Sequence, residues 1–517
     1  MLVHQFLDYY ARNTPDVPCL TQEEVTHTYG EVKDRSVQLA NALEDAGVTK
    51  GQRVAILGEN SVEHLLVFMA TSRIGAVSVP LNYRLAPAEL AFIIGDANVR
   101  VLIVLDELAE TFAGLREQIA DDVVIVSQGL ADTLHLDEWL SRFPASIDER
   151  DTDRDDPMIQ LYTSGTTGNP KGVVSSHFNM ITLLTMNSLA MTSRPDPGSA
   201  GIICAPLFHI GGAGSIFMGI YAGQHTILHK AFDPIKLLDD IERYPVDGVF
   251  MVPAMIMFVL QTPGIEKRDF SRIRQIYYGA SPISETVLRQ ALEIFDCDFI
   301  QMYGMTETTG TVVNLTPADH RRALAGETGL LASCGRPSAG GFAKVVDGDG
   351  NEQPRGEIGE IWLKSDTNML EYYNLAEATA DNLTDGWVHT GDAGYMDEEG
   401  YLYLKDRMKD MVVSGGENIY PVEVENAIAK HDAVADVAVI GVPDDKFGEA
   451  LLAFIVTKPD ASLTLEELIE FCRDKIAGYK IPRQMELIDE LPRNPSGKIL
   501  KKILREPYWE RAGRNVG

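Results

Sequence analysis

The chain has 517 residues, too many for one hydrophobic core, and that length predicts two to four domains. Apolar residues make up 45% and charged residues 23%, the balance of an ordinary globular protein. The net charge of −31 argues against nucleic acid and against an anionic membrane surface as partners. No apolar run reaches the ~18 residues of a membrane span. The opening Met1-Leu-Val-His-Gln-Phe6 lacks a basic segment and a cleavage site. A cytoplasmic location without transmembrane segments is therefore expected, with peripheral membrane contact through an apolar patch left open. Cys19, Cys204, Cys297, Cys334 and Cys472 are scattered without metal-ligand spacing and read as buried thiols of a reducing compartment.

In chain order, short apolar runs (Val54–Leu57, Val101–Leu105, Val123–Val126) alternate with helical patterns such as Ser61–Ile74. That alternation predicts βαβ units and a mainly parallel sheet. The acidic stretch Asp148 to Pro157 reads as a solvated connector. A second α/β region follows, with strands near Gly201–Ala205, Gly248–Val252 and Ile276–Tyr278. His225 and His229 lie on a strand-like segment without further ligands and predict no metal site. The last ~110 residues read as a small α+β unit. Its helix starts are marked by Tyr420-Pro421, with proline in the first turn, and by the capping box Thr464-Leu-Glu-Glu467 before a helix ending near Gly478. Strand-like Val437–Val442 and Leu451–Val456 lie between them.

The most informative segment is Leu161-Tyr-Thr-Ser-Gly-Thr-Thr-Gly-Asn-Pro-Lys-Gly172, entered from the apolar strand Met158–Tyr162. Gly165 and Gly168 let backbone N–H groups approach an anion closely, and Thr163, Ser164, Thr166 and Thr167 add hydroxyl donors. Lys171 adds a point charge. A Walker A loop is excluded, because Lys171 stands between Pro170 and Gly172, and the proline removes a donor such a loop would use.

This segment closely resembles the phosphate loop of the AMP-forming adenylating enzymes, the family of acyl-CoA synthetases, peptide-synthetase adenylation domains and firefly-type luciferases. The resemblance covers essentially the whole chain and is nearest to the fatty-acid–CoA ligases. It implies a large N-terminal domain (1–406) of α/β subdomains with a β-rich subdomain, a hinge (407–410) and a small mobile C-terminal α+β domain (411–517). ATP, Mg²⁺ and CoA are the implied cofactors, a small carboxylic acid is the implied substrate, and a homodimer is compatible with it.

The remaining motifs follow in family order. Tyr278-Gly-Ala-Ser281 resembles the strand end beside adenine, which gives Gly279, Ala280 and Ser281 to the nucleotide. Gln301-Met-Tyr-Gly-Met-Thr-Glu-Thr308 resembles the second core motif. Here Met302, Tyr303, Gly304 and Met305 flank the nucleotide, with the Tyr303 ring offered to the purine. Thr306 meets the α-phosphate, and Glu307, with Thr167, is the implied Mg²⁺ ligand. Asp392, in Trp387-Val-His-Thr-Gly-Asp392, is the implied ribose partner, joined there by Arg407, and Lys409 is the implied hinge residue. Gly415 and Gly416 are implied in the pantetheine tunnel, and Lys498, after Pro-Ser-Gly, is the implied adenylation lysine. In isolation Lys498 would read as one more solvated lysine beside Lys501 and Lys502.

For CoA, the resemblance offers Arg84 and Phe447, although relatives often carry tryptophan at the latter. For the acid, it offers Phe208, His209, Ile210, Tyr278, Gly279 and Gly304. Phe208, Ile210, Met255, Phe258, Met302, Met305 and Val312 would make that pocket apolar. Met302 departs from the glycine of aryl-acid relatives. No charged residue is evident to pair a second carboxylate, and no acid is placed to receive an amino group. A medium- to long-chain fatty acid is the expected substrate, with an aryl or alicyclic acid as the alternative. A carrier protein in place of CoA, or a non-catalytic nucleotide sensor, are the competing classes.

Overall fold

The computed structural model describes residues 1–163, 169–191, 198–281, 283–407, 410–414, 417–444, 447–459, 461–473, 475–493 and 499–511, with backbone alone at 406, 407, 417, 418, 510 and 511. Four sheets organise the described residues.

The first sheet has eight strands in the order Glu371–Tyr372, Lys171–Ser176, Pro157–Thr163, Val77–Leu81, Arg53–Leu57, Val99–Val104, Val124–Ser127 and Leu134–His135. The strands from Pro157–Thr163 to Leu134–His135 run parallel, while Lys171–Ser176 returns antiparallel from Pro157–Thr163. The predicted strands lie within a residue or two of these bounds. Their near-continuous apolar runs fit a sheet covered on both faces.

The second sheet has nine strands: Arg336–Pro337, Gly310–Leu315, Asp298–Met305, Gln275–Gly279, Val246–Met251, Ala200–Ile203, His225–Leu228, Pro18–Gln22 and Val25–Thr28. Its centre is parallel and its edges antiparallel. Local patterning did not reveal that Pro18–Gln22 crosses to this sheet and pairs with His225–Leu228.

A layer of helices lies between these sheets and joins both to one core. Val54, Ile56, Val101 and Ile103 of the first sheet share it with Leu20, Ile203 and Leu228 of the second. Helix Val62–Ile74 is buried nearly all round, its polar His64, Thr71, Ser72 and Arg73 included. Helix Ile210–Ala222 gives Ala213, Ile216, Phe217 and Ile220 to this core, at the spacing of one helical face. The outer face of the second sheet packs Ile276, Tyr278 and Phe299 against helices Pro234–Arg243 and Glu285–Phe295.

A third, antiparallel sheet joins Gly341–Val346, Gly359–Ser365, Trp387–Met396, Leu383–Thr384 and Leu402–Arg407. The fourth joins Glu417–Ile419, Val412–Ser414, Gly448–Thr457, Val434–Asp444 and Gln484–Leu487 over its own core of Val424, Ile428, Val439 and Ile455. The capping box at Thr464 is present, but helix Leu465–Cys472 stops before Gly478. Ile476 still packs on that core after the chain has left the helix. The fold is α/β, with mixed sheets and a small C-terminal unit.

Candidate active site

Thr163 and Lys171 are register partners at the end of an antiparallel pair. Ser164, Gly165, Thr166, Thr167 and Gly168 lie outside the described residues. So do Lys409, Gly415, Gly416 and Lys498, together with the Arg407 side chain. The Lys171 ammonium stands 4.9 Å from the centre of the Tyr372 ring.

Tyr372, which sequence reasoning passed over, also reaches the second motif. Its hydroxyl donates to Glu307 Oε1 at 2.7 Å, and both residues are buried. Burial, then the Glu307 charge, push the Tyr372 phenol above its usual range. Glu307 sits in the turn Thr306–Thr308 that follows strand Asp298–Met305. That turn is pinned from two sides. Met369 N–H donates to the Glu307 carbonyl, and Thr309, at φ +52°, shares a 2.8 Å hydroxyl contact with Ser175. Hence three segments far apart in sequence converge on one carboxylate and one ammonium.

Within the second motif, Tyr303 hydroxyl donates to Asp392 Oδ2 at 2.8 Å. Burial, then that carboxylate, keep the phenol protonated well above its ordinary range. The Arg407 backbone stands directly opposite Asp392 across the third sheet. Gly279 and Gly304 are positions of close approach, since an added Cβ would run into the carbonyls of Met302 and Gly310. Ala280, at φ +67°, ends the strand in a strained conformation of the kind concentrated at functional sites. Ser281 follows it, half-buried.

A cavity of about 170 Å³ opens at this edge, between Ala280, Met302, Gly304, Met305, Gly310 and Ile210. Leu183 and Met218 roof it from two helices. The other expected pocket residues are placed elsewhere. Tyr278 faces the opposite side of the sheet, in the outer core, with its hydroxyl 2.9 Å from His320 Nε2. Met255 and Val312 are buried in other cores, Phe258 is exposed, and none of them lines the cavity. Strand alternation explains the exchange at Tyr278, because its neighbour Tyr277 faces the cavity.

Sequence reasoning placed no acid to receive an amino group, and it missed an acid at the cavity's other end. Asp247 lines it and accepts a 2.9 Å hydrogen bond from Gln224 Nε2. A β-bulge turns it there, since Ala200 pairs with Val246 but Gly201 pairs with Gly248.

His209 caps helix Ile210–Ala222, with its Nε2 buried and lacking a hydrogen-bond partner among the described residues. Burial, then the Arg84 charge, lower its pKa to about 4, so the imidazole is neutral at pH 7. Arg84 is exposed and rests on Tyr83, whose ring meets Phe208 edge-on at 5.5 Å. Phe447 lies under the Arg483 guanidinium at 3.9 Å. His225 and His229 have separate partners, Thr21 at 2.7 Å and Asp240 at 2.8 Å. Among the described residues no cluster suited to a transition metal occurs. Four of the cysteines are buried as expected, and Cys297 is only partly so.

The AMP-binding enzyme family matches residues 7–373, and the AMP-binding enzyme C-terminal domain matches residues 423–498. A fatty acid–[acyl-carrier-protein] ligase of Streptomyces coeruleorubidus is 37% identical, over 99% of this chain and 97% of its own length. A feruloyl-CoA synthase of Amycolatopsis sp is 36% identical, over 96% of this chain and 97% of its own. The crystal structure of an anthranilate CoA ligase in complex with anthranoyl-AMP overlays with a TM-score of 0.90 at 28% identity, covering 99% of this chain and 98% of that one. With both halves of its length matched and relatives aligned nearly end to end, the chain belongs to the AMP-binding enzyme family and is an adenylate-forming ligase.

Proposed function

We propose that the protein is an ATP-dependent carboxylic acid–CoA ligase that releases AMP and takes an aliphatic acid of medium to long chain. The observation that carries this reading is the cavity beside the Tyr303–Asp392 pair and the Glu307 turn, walled at its mouth by Ile210, Met302 and Met305. A carboxylate at the mouth, with its tail along those walls, would meet the α-phosphate of a nucleotide held at Asp392.

In the first half-reaction the acid's carboxylate oxygen attacks the α-phosphorus, and the bond to pyrophosphate breaks. Thr306 and Lys498 are assigned to the α-phosphate, where charge develops, and Lys171 with the loop hydroxyls to the departing phosphates. A single buried carboxylate plus phosphate oxygens is a donor set that suits Mg²⁺, so Glu307, with Thr167, would hold the ion. When bound, Mg²⁺ neutralises phosphate charge. Asp392 and Arg407 are assigned to the ribose. In the second half-reaction the CoA sulfur attacks the acyl-adenylate carbonyl and AMP leaves. We assign the division between the two working units to 407–410, with Lys409 as the pivot that exchanges Lys498 for the Gly415-Gly416 segment. Positioning and charge supply the catalysis, and no covalent enzyme intermediate is required.

A second reading has one specific support. The Streptomyces relative is named as a ligase acting on an acyl-carrier protein, so a carrier thiol is the alternative acceptor. The feruloyl and anthranoyl relatives support the aryl alternative for the acid. The test is AMP release with and without CoA, or with a phosphopantetheinylated carrier protein, across fatty, aryl and alicyclic acids. CoA-dependent release with aliphatic acids is expected. Failure of every aliphatic acid from butyrate to stearate would overturn the substrate choice, and release only with the carrier would replace CoA.

A further inference from the structure

The acyl cavity does not stay apolar to its end. It begins at the carboxyl ends of the strands, at Ala280 and Gly304, and runs beneath helix Ile210–Ala222 to the strand beginnings at Gln275 and Asp247. Gln275 and Gly279 span one strand, so that path covers about 13 Å at ~3.3 Å per residue. Along it the floor has two bare positions beside larger lining residues such as Phe250 and Tyr277. Gly201 and Gly248 are register partners on adjacent strands, and both line the cavity. The helix above turns Gly211, Gly214, Ser215, Met218 and Gly219 toward the same space, while its bulky residues enter the core behind.

The far end is built from hydrogen-bonding groups. The bulged Asp247 accepts from Gln224, and Tyr277 hydroxyl donates to Gln275 Oε1 at 3.0 Å. All of these residues line the cavity. Burial, then the Asp247 charge, push the Tyr277 phenol well above its usual range, so the hydroxyl stays protonated and bonded to Gln275, with its oxygen able to accept. A methyl-ended chain long enough to arrive there would strip water from these groups and return no hydrogen bond. A hydroxyl or carbonyl would replace that water.

We propose that the acid taken by this enzyme carries a hydrogen-bonding group, a hydroxyl or carbonyl, at the end remote from its carboxylate, and that Tyr277 with Gln224, Asp247 and Gln275 reads it. The inference rests on the aliphatic-acid reading above and narrows it. Gly201 and Gly248 set the depth at which the group is read.

The test compares kcat/KM for CoA-dependent AMP release between hexanoate, octanoate, decanoate and dodecanoate and their ω-hydroxy counterparts, using the full chain. At the best length the ω-hydroxy acid is expected to win by about tenfold or more, the worth of a satisfied over an unsatisfied buried polar group. Tyr277→Phe removes only the hydroxyl and should bring that ratio toward one. Gly201→Ala would set a methyl 3.4 Å from Gln224 Oε1 and should move the preferred length downward. Equal or better use of the methyl-ended acid at every length would overturn the inference, as would an unchanged ratio in Tyr277→Phe. AMP release with aryl acids alone would overturn it together with the aliphatic reading. Absence of release with any acid would instead fail the ligase assignment.

Discussion

Replacing Tyr372 by phenylalanine isolates one hydroxyl at the meeting point of three segments. The ring remains to face Lys171, whose ammonium is 4.9 Å from its centre, and only the 2.7 Å hydrogen bond to Glu307 Oε1 is lost. Both side chains are buried, at 5% and 7% exposure, so water does not readily take the hydroxyl's place. A buried hydrogen bond to a charged group contributes about 1.5–3 kcal/mol. If the whole of it orients Glu307 for catalysis, adenylation should slow about 10- to 150-fold, at about 1.4 kcal/mol per factor of ten. The Mg²⁺ concentration for half-maximal activity should rise in parallel. Conversion of supplied acyl-adenylate and CoA to thioester, which does not use the β- and γ-phosphates, should stay near wild type. Acyl-adenylate formation followed by pyrophosphate release across a Mg²⁺ series, beside the thioester half-reaction, reads all three. An unchanged Mg²⁺ requirement with unchanged adenylation would refute the reasoning. Equal loss in both half-reactions would make Tyr372 a general prop instead.

Lys498→Ala should lose adenylation by about 10² or more, as removed transition-state donors do, yet still thioesterify supplied acyl-adenylate. Equal loss of both half-reactions in rapid-quench assays would sink the exchange of Lys498 at the site. Asp392→Asn keeps the size of the Tyr303 partner but removes its charge. AMP binding measured by calorimetry should weaken roughly tenfold, the value of one charge-assisted hydrogen bond, and unaltered affinity would remove Asp392 from the ribose site. Burial lowers the pKa of His4 and His64 to about 3 and that of His177, His209 and His320 to about 4. The unfolded chain therefore takes up these protons first as pH falls through about 6.5, so stability is complete above that value and drains between there and about 4. Urea unfolding at pH 7.5, 6 and 5 should show the decline. A flat profile would mean these imidazoles are solvated in the folded protein.

The motifs assigned to adenylation were legible in the chain because they are short and contiguous, each answering a local need: a bare backbone at Gly279, a turn at Thr306–Thr308, a carboxylate beside Tyr303 at Asp392. The strands were legible for a similar reason, since buried parallel strands are continuous apolar runs. What escaped was set by register and distance. Tyr278 was expected in the acid pocket and Tyr277 was not, yet a one-residue step in a strand decides which face a side chain takes. Asp247 reached the cavity through a bulge, which leaves no mark in the hydrophobic pattern. Tyr372 meets a carboxylate 65 residues earlier in the chain, a proximity that only the folded sheets create.

The strand pair Pro18–Gln22 and Val25–Thr28 carries a consequence for how the chain is made. Leu20 pairs with Thr226, and its partner strand follows seven of the first sheet's eight strands in sequence. At about 5–20 residues per second, a ribosome takes about 10–40 s to deliver that partner. During that interval Cys19 and Leu20, fully buried in the finished protein, have no sheet to join. The second sheet is thus a high-contact-order assembly that closes late, and its unpaired edge is exposed to mispairing while it waits. Chaperone dependence during synthesis should concentrate in this segment, and deleting the pair should cost soluble yield before it alters turnover.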